Sequence, residues 1–255
     1  MPKEHKTNYV NYFNEKYIEK KFKDNRDKFM LTNNPFSSSK TEALRLEIQK
    51  VKYSEVQFYK DWIAKDPSKR TKYIEETTKN AIISFPHSLC MHAVIITSDN
   101  KILLTKRSPK LDYYPNTWSI SVKDQISYKA VSTNHLDTIL SKWSELLFEK
   151  EVGLTKDDYF EKNLRILSVF LETDDILNCS LSAVFPIKLD ENQFRDKLIH
   201  RTDFEFTEFT FLSYRELAKE ILKPELSLHP TSGYRAILAL IKHYGMPELL
   251  RILFK

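Results

Sequence analysis

The stretch from Met91 to Leu154 constrains the fold of this chain most strongly, because strand and helix signals alternate there in a fixed order. Val and Ile are dense between Ser88 and Thr97, which is typical of a central strand. A Ser-Asp-Asn turn leads to a second apolar run at 102–105, and this predicts an antiparallel hairpin. An alternating run at 118–122 and an amphipathic helix ending at Gly153 complete the order and predict a mixed α/β domain.

Further strands and two helix starts follow toward the C-terminus. Leu164–Glu172 and Leu181–Leu189 predict a strand pair, and Thr207–Leu212 predicts another strand. Ser213 to Glu216 matches a capping box, in which Ser and Glu side chains satisfy backbone amides at a helix start. His229 precedes Pro230 and is predicted to begin the next helix, so the domain continues as alternating strands and helices.

Residues 1–80 show helical rather than strand patterns. A partial apolar face predicts one long helix over 41–65, which the Asp66-Pro67-Ser68 segment ends, and a second helix reaches about Lys79. We therefore expect a helical N-terminal region at 1–80 and a main domain at 81–255. The N-terminal helices are expected either to cap the main domain or to form a module for homodimerisation or partner binding.

Composition excludes several functional classes. The chain has 255 residues and a net charge of +5, a mild excess that makes nucleic acid an unlikely partner. It has three glycines, too few for a glycine-rich phosphate loop. Its two cysteines are far apart, so we expect neither a disulfide framework nor a zinc site. With no long apolar run and no signal-peptide pattern, we expect a cytoplasmic protein that does not enter a membrane.

The order of elements in this stretch resembles that of the Nudix hydrolase superfamily. The order is strand, turn, strand, basic pair, Pro and Trp, strand, loop, acidic helix and Gly-Leu. A separate segment at 208–238 resembles the closing part of that fold, with a strand, a Ser-capped helix, a Pro and a last helix. Together the two matches cover 88–240. The resemblance implies a Nudix-type α/β/α sandwich with a mixed sheet, preceded by the helical N-terminal region.

The catalytic signature of that family is degenerate in this chain. The family pattern is Gly, then Glu six positions on, then Arg-Glu-apolar-x-Glu-Glu-x-Gly-apolar, and its glutamates bind Mg²⁺ or Mn²⁺. With Gly153-Leu154 aligned on the end of the pattern, Glu151 matches the last glutamate. Lys150 and Leu147 stand at the other two glutamates of the helix, and Leu146 stands at the arginine.

Direct carry-over from the signature supports only Glu151, whereas helix spacing and the strand end that should face the helix add Glu149 and Asp124 as candidates for a weaker cation site. Glu149 and Glu151 are the candidate catalytic residues, and Asp124 joins them as a candidate ligand of Mg²⁺ or Mn²⁺, since these cations prefer oxygen ligands. The alternative is that Glu145 and Glu149 form a solvent-facing side of the helix, with Glu149 near a lysine.

Basic and aromatic residues after the second strand are candidates for substrate binding. By resemblance, Lys106 and Arg107 contact substrate phosphate, and Arg suits a bidentate phosphate contact. The alternative is a surface basic pair that ends a strand. Tyr113 and Trp118 are candidates for stacking on a base, although core packing is the alternative for Trp118.

Two functions of different classes follow from the resemblance. The first is divalent-cation-dependent hydrolysis of a phosphoanhydride in a nucleotide or nucleoside-diphosphate-type ligand. The second is a catalytically inactive nucleotide sensor or partner-binding scaffold. Both require acidic side chains of the helix ending at Gly153 to face the same cleft as Arg107.

Overall fold

The computed structural model describes residues 5–18, 25–33, 46–79, 85–111, 113–125, 127–128, 136–172, 178–200, 205–223 and 225–254. The chain divides into two compact units. The first consists of Met1–Cys90, Gln125–Ile139 and Val169–Ser180, and the second of Met91–Asp124, Leu140–Ser168 and Leu181–Lys255. The sequence favours a loop at 129–134 and a turn at Asp174-Asp175 between the two predicted strands, and both segments lie outside the described residues.

The first unit combines three helices with a two-stranded antiparallel sheet. Its elements are α1 (Lys6–Ile18), β1 (Asp27–Leu31), β2 (Ile48–Lys52), α2 (Tyr53–Ala64) and α3 (Pro67–Lys79). Aromatic rings fill much of its interior, and the Tyr59 ring lies 5.9 Å from Trp62 and 6.2 Å from Tyr73. The unit contains helices, as predicted, together with two strands that were not predicted, and the boundary after residue 80 stays a prediction.

The prediction of one long helix over 41–65 is wrong in its first half. Residues 48–52 form β2, which pairs with β1 in a register that joins Leu31 to Ile48 and Asp27 to Lys52. The pairing buries Val51 against Met30 and Val56, so tertiary contact overrides the local helical pattern. The helix begins only at Tyr53. Its N-cap residue is Lys52, whose backbone N–H donates a hydrogen bond to the Glu55 carboxylate. Residues 41–45 lie outside the described part.

The remaining elements alternate strands and helices, as predicted. They are β3 (Leu89–Ile96), β4 (Lys101–Arg107), β5 (Trp118–Ile120), β6 (Val122–Asp124), α4 (Leu136–Leu147), β7 (Arg165–Glu172), β8 (Asn178–Pro186), α5 (Glu191–Ile199), β9 (Phe206–Ser213), α6 (Tyr214–Glu220), α7 (Pro230–Tyr244) and α8 (Met246–Leu253). The mixed sheet has the order β5-β4-β3-β8-β7, with β6 on β3 and β9 on β4. The mixed α/β fold is thereby confirmed.

Helical layers cover both faces of the sheet in the second unit. On one face, sheet residues such as Leu104 and Val184 pack in a single core with α6, α7 and α8. On the other face, the ring of Phe185, next to Val184 in β8, lies 4.4 Å from Phe148 and 5.1 Å from Tyr159. Strand alternation explains why adjacent residues serve opposite layers. The α/β/α sandwich predicted from the sequence is confirmed here.

The helix boundaries of this unit follow the signals in the sequence. Ser213 and Glu216 form the expected capping box at the start of α6, and His229 caps α7 by accepting a hydrogen bond from the Thr231 backbone N–H. A π-helical turn at Phe148–Val152 continues α4, and Gly153 ends it in the left-handed conformation with φ of 69°. In the described part of the chain, no helix has the length and apolarity needed to cross a membrane.

The predicted strand at 118–122 is divided at Ser121, because its two halves pair with different strands. β5 pairs with β4 and β6 pairs with β3, so the chain changes partner at Ser121. The φ of Ser121 is 51°, a left-handed conformation that costs a non-glycine residue free energy. Its hydroxyl accepts a hydrogen bond from the Ile95 N–H at 2.9 Å and donates one to the Leu103 carbonyl at 2.8 Å.

Ser121→Ala is expected to lower the free energy of unfolding by about 1–3 kcal/mol, because the buried Ile95 N–H loses its acceptor. Ser121→Gly loses the same hydrogen bonds but relieves the left-handed backbone, so we expect it to be more stable than Ser121→Ala by about 1 kcal/mol. Urea denaturation of both variants checks this. If Ser121→Gly is the less stable of the two, the hydroxyl and the backbone do not act as described.

Candidate ligand-binding site

A polar cleft lies beside β4, β5 and β6 of the second unit. Its polar lining contains two bases, two acids and three hydroxyl groups: Arg107, Lys123, Glu151, Glu205, Thr105, Ser119 and Ser121. Val122 and Phe206 add apolar surface. A cleft of this composition suits a small ligand that carries both anionic and hydroxyl groups.

Arg107 is held in the cleft by its strand and by a nearby carbonyl group. Its Nε and Nη2 atoms donate hydrogen bonds to the Tyr113 carbonyl oxygen at 3.2 and 2.9 Å. Thr105, two positions earlier in β4, lines the same cleft, whereas Lys106 between them does not. Alternation along the strand accounts for this separation, which leaves Arg107 as the basic residue of the pair that reaches the cleft.

Glu151 is a buried carboxylate of the cleft. It lies in the π-helical turn after α4, a type of turn often found at functional sites, and only 5% of the residue is exposed. Burial raises the pKa of Glu151 to about 7, and the negative charges of Glu205 and Asp124 add to the effect. The Lys150 ammonium opposes the rise, since its Nζ lies 3.5 Å from Glu151 Oε1.

Lys150 is the exposed partner of Glu151. Its side chain is 66% exposed, whereas that of Glu151 is 6% exposed. Burial lowers the pKa of Lys150, but the negative charges of Asp124, Glu151 and Glu205 act in the other direction and raise it overall. One ammonium group is therefore within electrostatic reach of three carboxylates.

Among the predicted site residues, the structure brings Arg107 and Glu151 to one cleft. Asp124 is within electrostatic reach of Glu151 but does not line the cleft. Glu149 is exposed and lies outside the lining. The side chain of Glu145 pairs with Lys142 and Lys156, so that carboxylate belongs to the helix surface.

Three other predicted substrate-binding residues, Lys106, Tyr113 and Trp118, do not line the cleft. The Lys106 Nζ pairs with Glu208 Oε1 at 2.7 Å and lies 6.0 Å from the Trp118 ring. Trp118 packs against the core below α6 and α7, as the alternative interpretation of that residue held. Tyr113 contributes its carbonyl group to Arg107, and its ring is not part of the cleft lining.

The residues present do not fit a divalent cation held by three carboxylates. Among the residues that the structure describes, no group of three or more His, Cys, Asp or Glu is placed to hold a metal ion. The predicted set of Glu149, Glu151 and Asp124 is thus not assembled as a ligand group. The Lys150 ammonium beside Glu151 also repels any cation that approaches that carboxylate.

Two residues of the cleft were missed by sequence reasoning. Lys123 continues the alternation of the run at 118–122, so extending that run by one residue would have found it. No local sequence pattern marks Glu205 as a cleft residue, because a contact distant in the chain positions it. The Glu205 carbonyl accepts a hydrogen bond from the Ser108 N–H at 2.8 Å. That contact joins residues almost a hundred positions apart.

A fully buried arginine supports the floor of the cleft. The Nη2 atom of Arg235, in α7, donates hydrogen bonds to Ser119 Oγ at 3.1 Å and to Ser232 Oγ at 2.9 Å. Its other donors reach the carbonyl groups of Ile120 and Thr231. Because Ser119 Oγ accepts from Arg235, the Ser119 hydroxyl hydrogen is directed away from the guanidinium, where a ligand oxygen can accept it.

Comparison with known proteins gives weak likenesses, all below a TM-score of 0.5. No protein-family model matches the chain, and no curated protein matches it by sequence. The chain is similar to Tm1382, a candidate Nudix hydrolase (13% identity, TM-score 0.47, 84% of this chain and 98% of that chain covered). A Nudix hydrolase from Alicyclobacillus acidocaldarius is 12% identical (TM-score 0.45, 62% and 92% covered).

The Nudix domain of Shewanella oneidensis NrtR, crystallised with ADP-ribose, is 13% identical, with a TM-score of 0.42 and coverage of 68% of this chain and 97% of that chain.

Proposed function

We propose that the second unit is a Nudix-type domain that recognises a nucleotide-type ligand, with the diphosphate of that ligand beside Arg107. The convergence of Arg107, Lys123 and the buried Glu151 on one cleft supports this most directly. A guanidinium group held by a backbone carbonyl is preorganised for phosphate oxygens, and Lys123 adds a second positive charge. Val122 and Phe206 offer the sugar or base an apolar surface in the same cleft.

Binding without hydrolysis is the function that the lining favours. The family's chemistry depends on glutamates that hold a divalent cation, and two of the helix glutamates are replaced by Leu147 and Lys150. The carboxylates that remain do not form a three-ligand group in the described part of the chain. The domain is thus proposed as a sensor of its ligand.

One observation favours hydrolysis of a phosphoanhydride as a second candidate function. Glu151, which matches the last glutamate of the family signature, faces the same cleft as Arg107. Formation of AMP and ribose 5-phosphate from ADP-ribose, or of a nucleoside monophosphate and phosphate from nucleoside diphosphates, is measured with Mg²⁺ and with Mn²⁺ and tests this candidate. Turnover that is lost in Glu151→Gln would establish hydrolysis in place of sensing, and no turnover in any condition would exclude it for these compounds.

Calorimetric titration of ADP-ribose, ADP and inorganic pyrophosphate into the full chain tests the proposed binding function. We expect at least one of the three to bind, and Arg107→Met to weaken that binding about 10- to 100-fold, which corresponds to loss of a charge-assisted hydrogen bond. Arg195→Met is a matched control, because Arg195 pairs with Glu191 on α5 and does not line the cleft.

Three results separate the possible outcomes of this titration. Equal weakening by Arg107→Met and Arg195→Met would indicate a general charge effect and would contradict the assignment of the cleft. Binding that Arg107→Met leaves unchanged would place the ligand elsewhere. Absence of binding by all three compounds would contradict nucleotide recognition and would favour the alternative of a partner-binding scaffold.

A further inference from the structure

The position of Lys150 distinguishes this cleft from a cation site. Its Nζ atom lies 3.5 Å from Glu151 Oε1, within salt-bridge distance. Asp124 and Glu205 are the other two carboxylates whose charges act on Lys150 and also on Glu151. Three negative groups therefore surround one region of the molecule, and a positive group of the chain itself is already there.

We propose that Lys150 is a built-in counter-ion that takes the charge-neutralising place of a divalent cation, so that the cleft binds its ligand without metal. The idea deepens the proposed function and depends on it for the identity of the ligand, but not for the effect of Lys150 on cations. It assigns a role to a residue that the sequence shows only as a departure from the family signature.

The balance of charges around the cleft supports this role. Asp124, Glu151 and Glu205 supply three negative groups, and Arg107, Lys123 and Lys150 supply three positive groups. Without Lys150, Glu151 would lose its nearby positive group, and an anionic ligand would meet stronger repulsion from the carboxylates. An ammonium group offers charge and hydrogen-bond donors but cannot polarise a bound water as a divalent cation does.

Exposure and burial explain how Lys150 would keep cations away. The Glu151 carboxylate is nearly buried, whereas the Lys150 side chain, whose ammonium lies 3.5 Å away, is mostly exposed. A divalent cation that binds Glu151 must either displace the ammonium or bind beside it against electrostatic repulsion. Replacing Lys150 by glutamate removes this barrier and adds an oxygen ligand next to Glu151 in the chain.

Electron paramagnetic resonance of Mn²⁺ with the full chain, without nucleotide, tests the proposal. We expect Lys150→Glu to bind Mn²⁺ about tenfold or more tightly than the wild-type chain, because one repulsive charge becomes a hard oxygen ligand. Lys156→Glu is the matched control: Lys156 is 62% exposed and pairs with the single carboxylate of Glu145, 3.3 Å away. It should leave Mn²⁺ affinity at the wild-type level.

A double variant, Lys150→Glu with Glu151→Gln, should lose the gained Mn²⁺ affinity. If Lys150→Glu does not fold, Lys150→Gln removes the charge alone and should still bind Mn²⁺ more tightly than the wild-type chain. Wild-type affinity equal to that of the Lys150 variants, or an equal gain in Lys156→Glu, would overturn the proposal. Because this assay contains no nucleotide, its failure is separate from failure of ADP-ribose, ADP and pyrophosphate to bind.

Discussion

Arg235→Met is expected to lower the free energy of unfolding by about 3–5 kcal/mol, a large effect for one substitution. The Arg235 guanidinium is fully buried and donates hydrogen bonds to two serine hydroxyls and to the carbonyl groups of Ile120 and Thr231. Methionine fills similar space but donates no hydrogen bonds, so the buried acceptors lose their partners. Urea denaturation monitored by Trp fluorescence measures the change.

Arg251→Met is the matched control for Arg235→Met. The Arg251 side chain is 61% exposed and pairs with Glu248 one turn away on α8, so its loss should change the free energy of unfolding by no more than about 0.5 kcal/mol. Arg235→Met should also weaken ligand binding, because Arg235 fixes Ser119 in the cleft floor. A cost below about 1 kcal/mol for Arg235→Met would contradict the described hydrogen-bond network.

The second large effect is a loss of stability in acid through His87. This histidine is completely buried in the first unit. Its Nε2 accepts a hydrogen bond from the Leu31 N–H at 3.1 Å, so Nδ1 carries the proton and donates to the Phe85 carbonyl at 3.0 Å. Desolvation lowers the pKa of His87 from 6.5 to about 4, since burial penalises the charged imidazolium.

The sign of this pH dependence follows from the direction of the shift. Because the pKa of His87 is lower in the folded chain than in the unfolded chain, the unfolded state binds the proton first as pH falls. The stabilisation is fully present above about pH 6.5 and is lost between there and about pH 4, at a rate of about 1.4 kcal/mol per pH unit. The total is roughly 3 kcal/mol for this one group.

Urea denaturation at pH 7, 6 and 5 measures this loss. The wild-type chain should lose stability more steeply than His87→Gln, by about 1.4 kcal/mol per pH unit below pH 6.5. His200→Gln, at an exposed position after α5, should keep the wild-type slope. If the slopes of the wild-type chain and His87→Gln coincide, His87 does not hold its neutral form in the fold.

Local patterns in the sequence predicted most elements of the second unit. Alternation and turn chemistry placed β3, β4 and β9, and capping residues placed the starts of α6 and α7. Two errors came from contacts distant in the chain. Residues 48–52 form a strand because they pair with β1. The predicted strand at 118–122 is divided at Ser121 because β5 pairs with β4 and β6 pairs with β3.

The candidate site was less predictable, because its residues come from segments far apart. Arg107 and Glu151 were found from the family resemblance, and the structure brings them to one cleft. The sequence could not show that Glu205 returns beside Ser108, or that Arg235 lies behind Ser119. Lys150 was visible only as a missing glutamate, and its relation to three carboxylates required the three-dimensional arrangement.

Calorimetric titration of inorganic pyrophosphate and of ADP-ribose, once with EDTA and once with Mg²⁺, tests most directly whether the cleft recognises a diphosphate without metal. We expect binding to persist in EDTA, and Mg²⁺ to change the affinity by less than about threefold, because the Lys150 ammonium already lies beside the Glu151 carboxylate. Binding that occurs only with Mg²⁺ would contradict metal-free recognition and would indicate that the carboxylates hold a cation despite the ammonium beside them.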